Sequence, residues 1–100
     1  MAGKSFVLTV KADRDLAKIY DHTLEGWGAI QAERYMHTLV ATFIAIANQQ
    51  LPGLNCDHIR PGLKSCLYGS HVIFYRQGST RTIISRVLHQ SMDVDSQFKI

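Results

Sequence analysis

Acidic side chains are missing from a long stretch of this chain. Between His58 and Met92 there is no Asp or Glu, against five bases (Arg60, Lys64, Arg76, Arg81, Arg86) and three histidines (His58, His71, His89). The first 57 residues carry six acids against five bases, so the net charge of +3 comes from one structural unit. Charge concentrated in this way sets up a local field that attracts anionic partners, whether nucleic acid or an acidic polypeptide. Cysteine is scarce too. Cys56 and Cys66 are two thiols ten residues apart, which excludes a disulfide framework or a zinc site of recognised spacing and reads as a reduced pair. No metal or other cofactor is implied. Long apolar runs are absent: the longest, near residues 39–47, is broken by Thr42 and falls far short of the ~20 residues that span a bilayer. The N-terminus has one lysine followed by strand-like alternation and lacks the apolar core of a secretory signal. A cytoplasmic protein without membrane association is expected. With 100 residues, two prolines and 46% hydrophobic content, one globular domain over 1–100 is expected.

What is present is a clear change of period along the chain. Residues 5–10 alternate Phe6, Leu8 and Val10 with Val7 and Thr9, the period-two pattern of a strand. Over residues 12–25 the period becomes helical, with Ala12, Leu16, Ile19, Tyr20 and Thr23 on one side. Asp13, Arg14, Asp15, Lys18 and Asp21 are expected on the other. Asp13 and Asp15 also suit the positive end of a helix dipole. Gly26-Trp27-Gly28 interrupts this helix, and Ala32, Tyr35, Met36, Leu39, Phe43, Ile46 and Ala47 mark a second one of about 20 residues ending before Pro52-Gly53. So short a break predicts an antiparallel helical hairpin. Trp27 at the joint reads either as a cap on the core or as an exposed anchor for a partner.

Residues 53–59 read as a loop, and Pro61-Gly62 suits a type II turn. Three strands follow at 64–68, 71–77 and 82–89, with turns at Gly69-Ser70 and Gly78-Ser79-Thr80, which predicts an antiparallel meander. The tail over 92–100 reads as a last short helix or a loosely docked segment. The predicted fold is therefore α+β: an N-terminal strand, a helical hairpin, and a three-stranded meander with both helices on one sheet face. Two helices cover only one face. Yet the second meander strand offers Val72 and Phe74 on one side with Ile73 and Tyr75 on the other, and the last offers Ile83 and Val87 against Ile84 and Leu88. The tail, through Val94, Phe98 and Ile100, or a partner chain is expected to cover the surplus.

The chemistry-bearing candidates are few. There is no Gly-rich phosphate loop, HExxH or Ser nucleophile elbow. The second helix has too few basic or amide side chains on its polar face to read DNA bases directly. His71 and His89 lie on strands of the basic unit, where two imidazoles could act as acid and base in RNA cleavage. No acid lies nearby in sequence to orient either ring.

Taken in order, F-x-L-T at the start, D-L-x-x-I-Y-D-x-T over 15–23, W-G-x-x-Q-A-x-x-Y over 27–35, I-R-P-G-L over 59–63, G-S-H-V-I-F-Y-R over 69–76 and R-V-L-H-Q-S-M-D over 86–93 resemble a ParE toxin of the RelE/ParE superfamily. The resemblance spans nearly the whole chain. It implies the toxin of a type II toxin–antitoxin system, held inactive by a ParD-like antitoxin and acting when freed on DNA gyrase, through its A subunit, by trapping the enzyme on cleaved DNA. It implies action by binding, without turnover. Motif membership and charge give Arg60, Arg76, Arg86, His89, Met92 and Asp93 as candidates for contacting the target. Trp27, Tyr75, Arg81 and Arg86 are the candidates for the antitoxin. Structural alternatives are an Arg86–Asp93 pair and an Arg60 that braces the Pro-Gly turn. The alternative functions are a ribosome-dependent mRNA endonuclease of the RelE branch and an inactive relative that only binds antitoxin. In motif order, His71 falls where that branch has a catalytic arginine, and no tyrosine follows Tyr75.

Overall fold

The computed structural model describes residues 5–98. The chain forms strand β1 (Ser5–Leu8), helices α1 (Val10–Trp27) and α2 (Ala29–Ala47), strands β2 (Leu54–Asn55), β3 (Lys64–Tyr68), β4 (His71–Gln77) and β5 (Arg81–His89), and a short helix α3 (Val94–Gln97). The strands make one sheet in the order β1-β5-β4-β3-β2. All neighbours are antiparallel except β1, which lies parallel to β5 with Ser5 opposite Arg81 and Leu8 opposite Ile84. The expected strand, hairpin and meander are all present. One short strand was not foreseen: Leu54 and Asn55, within the expected loop, pair with Ser65 and Lys64 at the sheet edge. Two residues are too few to show a period.

Local chemistry explains the helix boundaries. Thr9 caps α1, its hydroxyl oxygen accepting from the Ala12 N–H at 3.0 Å. α1 runs through Gly26 and Trp27, beyond the expected end, and the break is confined to Gly28. Gly28 has φ +90° and ψ 172°, a region open essentially to glycine alone. Its N–H donates to the Leu24 carbonyl, and its own carbonyl accepts the Ala32 N–H, so one residue closes one helix and opens the next. The Pro61-Gly62 turn forms as expected, with Leu63 N–H donating to the Arg60 carbonyl at 3.1 Å and Gly62 at φ +80°.

Two apolar clusters lie on opposite sheet faces. On the helix side Leu16 and Ile19 of α1 and Leu39, Phe43 and Ile46 of α2 meet Ile73, Tyr75, Ile84 and Val87, with Phe6 edge-on to Phe43 at 5.4 Å. On the far side Cys56, Leu63, Phe74 and Leu88 pack together, with Val72, Val94 and Phe98 against them. Val94 and Phe98 thus cover part of the surplus face, as expected of the tail; Ile100 lies outside the described residues.

The alternation expected of the last strand fails at one point. Phe74 pairs with Arg86 but Tyr75 with Ile84, so Ser85 is an extra residue in β5. Such a bulge shifts the side-chain parity by one. Ile84 consequently faces the helices together with Val87, while Leu88 faces away; the expected pairings of Ile83 with Val87 and Ile84 with Leu88 are both corrected. The backbone groups released at the bulge are satisfied from the N-terminal part of the chain. Thr9 Oγ1 donates to the Ser85 carbonyl at 2.8 Å, and the Val87 N–H donates to Asp15 Oδ2 at 3.0 Å.

Candidate functional site

Asp15 is the first departure from the expected distribution of charge. It was expected on the solvent side of α1, but is 5% exposed and faces β5. Arg86 Nε donates to Asp15 Oδ2 at 2.8 Å and Nη2 to Oδ1 at 2.9 Å, a bidentate pair. The remaining guanidinium capacity goes to Gln97, with Nη1 donating to its carbonyl at 2.9 Å and Nη2 to its Oε1 at 3.2 Å. The hydrogen bonds to Asp15 push the Arg86 pKa further up. Arg86 therefore pairs with Asp15 and not with Asp93, and it is not a free charge for target or antitoxin. Asp93 instead precedes α3 and accepts from Ser96 Oγ at 2.8 Å.

Two concave regions flank this ion pair. On the far side of the sheet a cleft of about 330 Å³ is lined by Lys11, Arg60, Arg76, Arg86, Ile83 and Phe98 and contains no acid. Three of the predicted target-binding residues, Arg60, Arg76 and Arg86, thus come together. Arg60 reaches the cleft by donating from Nη2 to the Phe98 carbonyl at 2.9 Å and lying over the Phe98 ring at 5.5 Å. It holds the tail as well as following the Pro-Gly turn. Lys11, in the first turn of α1, also lines the cleft and was not singled out from sequence.

On the helix side a groove of about 500 Å³ lies between α1 and the ends of β4 and β5. His89 and Met92 line it, together with His71, His22 and Lys18. His71 and His89 sit directly opposite each other in the sheet, ring centroids 5.4 Å apart and edge to face. Tyr35 of α2 meets His71 Nδ1 with its hydroxyl at 2.7 Å, and Ser91 meets His89 Nδ1 with both its hydroxyl, at 2.7 Å, and its N–H, at 3.1 Å. Burial, then the neighbouring Tyr68, raises the Tyr35 pKa, while a bond from Ser70 acts in the opposite sense. Burial, aided by His89 and His22, holds the His71 pKa below its ordinary 6.5.

The remaining candidates fall elsewhere. Tyr75, proposed as an antitoxin contact, is only 2% exposed and belongs to the helix-side core; burial raises the pKa of its hydroxyl. It lies two residues after Ile73 in β4, and regular alternation puts both side chains under the helices. Arg81 is exposed at the start of β5. Trp27 does not cap the core: it is 78% exposed, beside Ile30 at 77%, so the hairpin joint presents an apolar tip.

A sequence model of the family described as "ParE toxin of type II toxin-antitoxin system, parDE" matches residues 6–94. The chain belongs to this family. Within the RelE/ParE superfamily, it is similar to Toxin ParE1 of Mycobacterium tuberculosis, 42% identical over 91 residues that cover 90% of this chain and 93% of that protein. Toxin ParE1 of Caulobacter vibrioides is 41% identical over 90 residues, with the same coverage of 90% and 93%. Among solved structures, the chromosomal ParDE toxin–antitoxin system of P. aeruginosa contains a chain that superposes with a TM-score of 0.72 at 22% identity, over 86% of this chain and 95% of that one. The ParE-family fold, a helical hairpin against a mostly antiparallel sheet, is therefore the one found here. No helix of the described residues is long and apolar enough to cross a membrane.

Proposed function

We propose that this ParE-family toxin is neutralised by a ParD-like antitoxin and, when freed, binds DNA gyrase and traps it on cleaved DNA. Membership of the ParE family across residues 6–94 carries this reading. The geometry supports action by binding. Basic side chains converge on an acid-free cleft, and the hairpin joint displays Trp27 and Ile30 to solvent. An acidic, amphipathic segment complements both surfaces. Arg60, Arg76 and Arg81 are the proposed electrostatic contacts, and Trp27 the apolar anchor; Arg86 acts from beneath by holding the cleft wall. The cytoplasm, where gyrase works, is the proposed location.

The ribonuclease alternative draws on the pairing of His71 with His89, but the hydrogen bonds around these rings oppose it. A general base needs an available nitrogen lone pair. The Ser91 N–H donates to His89 Nδ1, and the Tyr35 hydroxyl engages His71 Nδ1 at 2.7 Å. The neutral His89 ring then carries its hydrogen on Nε2 and has no lone pair facing the groove, which removes one partner of the acid–base pair.

Purified toxin assayed against gyrase and, in parallel, against in-vitro translation tests the proposal. The expected outcome is accumulation of cleaved DNA with translation unaffected. Unaltered gyrase together with codon-specific mRNA cutting would overturn it.

A further inference from the structure

The helix-side groove holds His89 and Met92, two of the target candidates by motif, but none of the contacts proposed above, and its chemistry points in one direction. Its walls at Ile19, Val87 and Met92 are apolar, and its polar groups are almost all donors. The only carboxylate lining it, Asp15, has both oxygens occupied by Arg86 and the Val87 N–H. His71 and His89 have their Nδ1 atoms engaged by Tyr35 and Ser91, which leaves their two Nε2 atoms, on adjacent and directly paired strands, for a ligand; that of His89 carries hydrogen because Nδ1 accepts the Ser91 N–H, and both carry it once the rings are protonated. His71 Nε2 finds no protein partner among the described residues. No buried side-chain nitrogen among them is left without one, so this atom reaches solvent. Lys18 and His22 of α1 line the same space.

We propose that this groove binds a phosphate group, gripped by the Nε2–H groups of His71 and His89, with Lys18 and His22 supplying charge at its rim. A volume of about 500 Å³ exceeds what a phosphate fills, and the apolar wall suits a flat ring, so the carrier is a nucleotide, free or within a single strand. The site does not depend on gyrase being the target.

Binding draws protons onto the imidazoles. The charged and titratable groups around His71 are Lys18, His22 and the paired Asp15 from α1, Tyr35 from α2 and His89 from β5. Apart from the neutralised Asp15, none becomes negative in the physiological range, so a phosphate would be the first free anion beside the two rings. Protonated rings make charge-assisted bonds to it, and affinity rises as pH falls through the imidazole range.

The test is to follow the histidine ring resonances of the intact chain by NMR while adding inorganic phosphate, AMP or a short single-stranded DNA, at pH values on either side of the imidazole range. The His71 and His89 signals are expected to shift together and titrate at higher pH in the presence of ligand. His89→Gln and His71→Gln should each weaken binding about tenfold or more, the loss of one hydrogen bond to a charged group. His89 is exposed and bonded only to the following turn, so its variant keeps the test open if the His71 variant fails to fold. AMP binding more tightly than phosphate identifies a free nucleotide; DNA binding more tightly than AMP identifies a strand. Rings unmoved by all three ligands, or shifts equally large at exposed His37 on α2, would overturn the site.

Discussion

Asp15 holds three donors from β5, and each loses its partner if the carboxylate is removed: Arg86 Nε, Arg86 Nη2 and the Val87 N–H. Breaking a buried pair on one side leaves the other charge uncompensated, so Asp15→Ala is expected to lower stability by about 3–5 kcal/mol in denaturant unfolding. Asp15→Asn, which keeps an acceptor for Val87, should cost clearly less. Equal losses in the two variants would show that the charge carries the effect and that the retained acceptor contributes little. His71 gives a pH signature. Its folded pKa lies below the ordinary 6.5, so the unfolded chain binds more protons between those two values and stability falls as pH drops through that window. His71→Gln should flatten the decline in melting temperature between neutral and mildly acidic pH; an unchanged slope would remove His71 from the account. Part of this was legible in the sequence. Asp15 was set on the polar side of α1 with its acidic and basic neighbours, yet it lies three residues after Ala12 and four before Ile19, a spacing that falls within the apolar stripe and could have signalled burial. Its partner could not be named, because 71 residues separate the two.

The two long helices and four of the strands follow from period and turn chemistry, and their bounds agree with the sequence pattern to within a few residues. Where prediction failed, the cause was a tertiary device. The Ser85 bulge leaves no mark on composition, yet it decides which residues of β5 meet the helices. It also places His89 beside His71 on the helix side and Arg86 toward the basic cleft. Of the two readings of Trp27 the core cap fails for a different reason: α1 continues two residues past its expected end, through Gly26, and carries the ring beyond the core. The joint itself is testable. Gly28→Ala forces a side chain into φ +90° and should cost about 1–3 kcal/mol, although a Cβ there meets no atom within 4 Å. Thermal unfolding reads the loss. A neutral substitution would mean that the hairpin relaxes to another joint conformation.

At the scale of the molecule, electrostatic steering and stability separate cleanly. Arg81 is exposed and remote from the Asp15–Arg86 pair, so Arg81→Glu is expected to weaken antitoxin binding with little change in folding, and the loss should shrink as salt is raised beyond ~0.1 M. Affinity unchanged at low salt would exclude Arg81 from the interface. Arg86→Glu is a poor probe, because it sets two carboxylates against each other inside the fold. The parallel pairing of β1 with β5 also has a temporal consequence. Seventy-six positions lie between Ser5 and its partner Arg81 (81 − 5), so at about 5–20 residues per second the ribosome needs roughly 4–15 s to supply the second strand after the first. Throughout that interval β1 has no ladder and Asp15 has no arginine. A nascent chain therefore lacks the complete sheet until its last quarter emerges. Chains truncated after Gln77 should be digested rapidly by protease, whereas the complete chain resists; a resistant truncated chain would show that the fold is reached without β5.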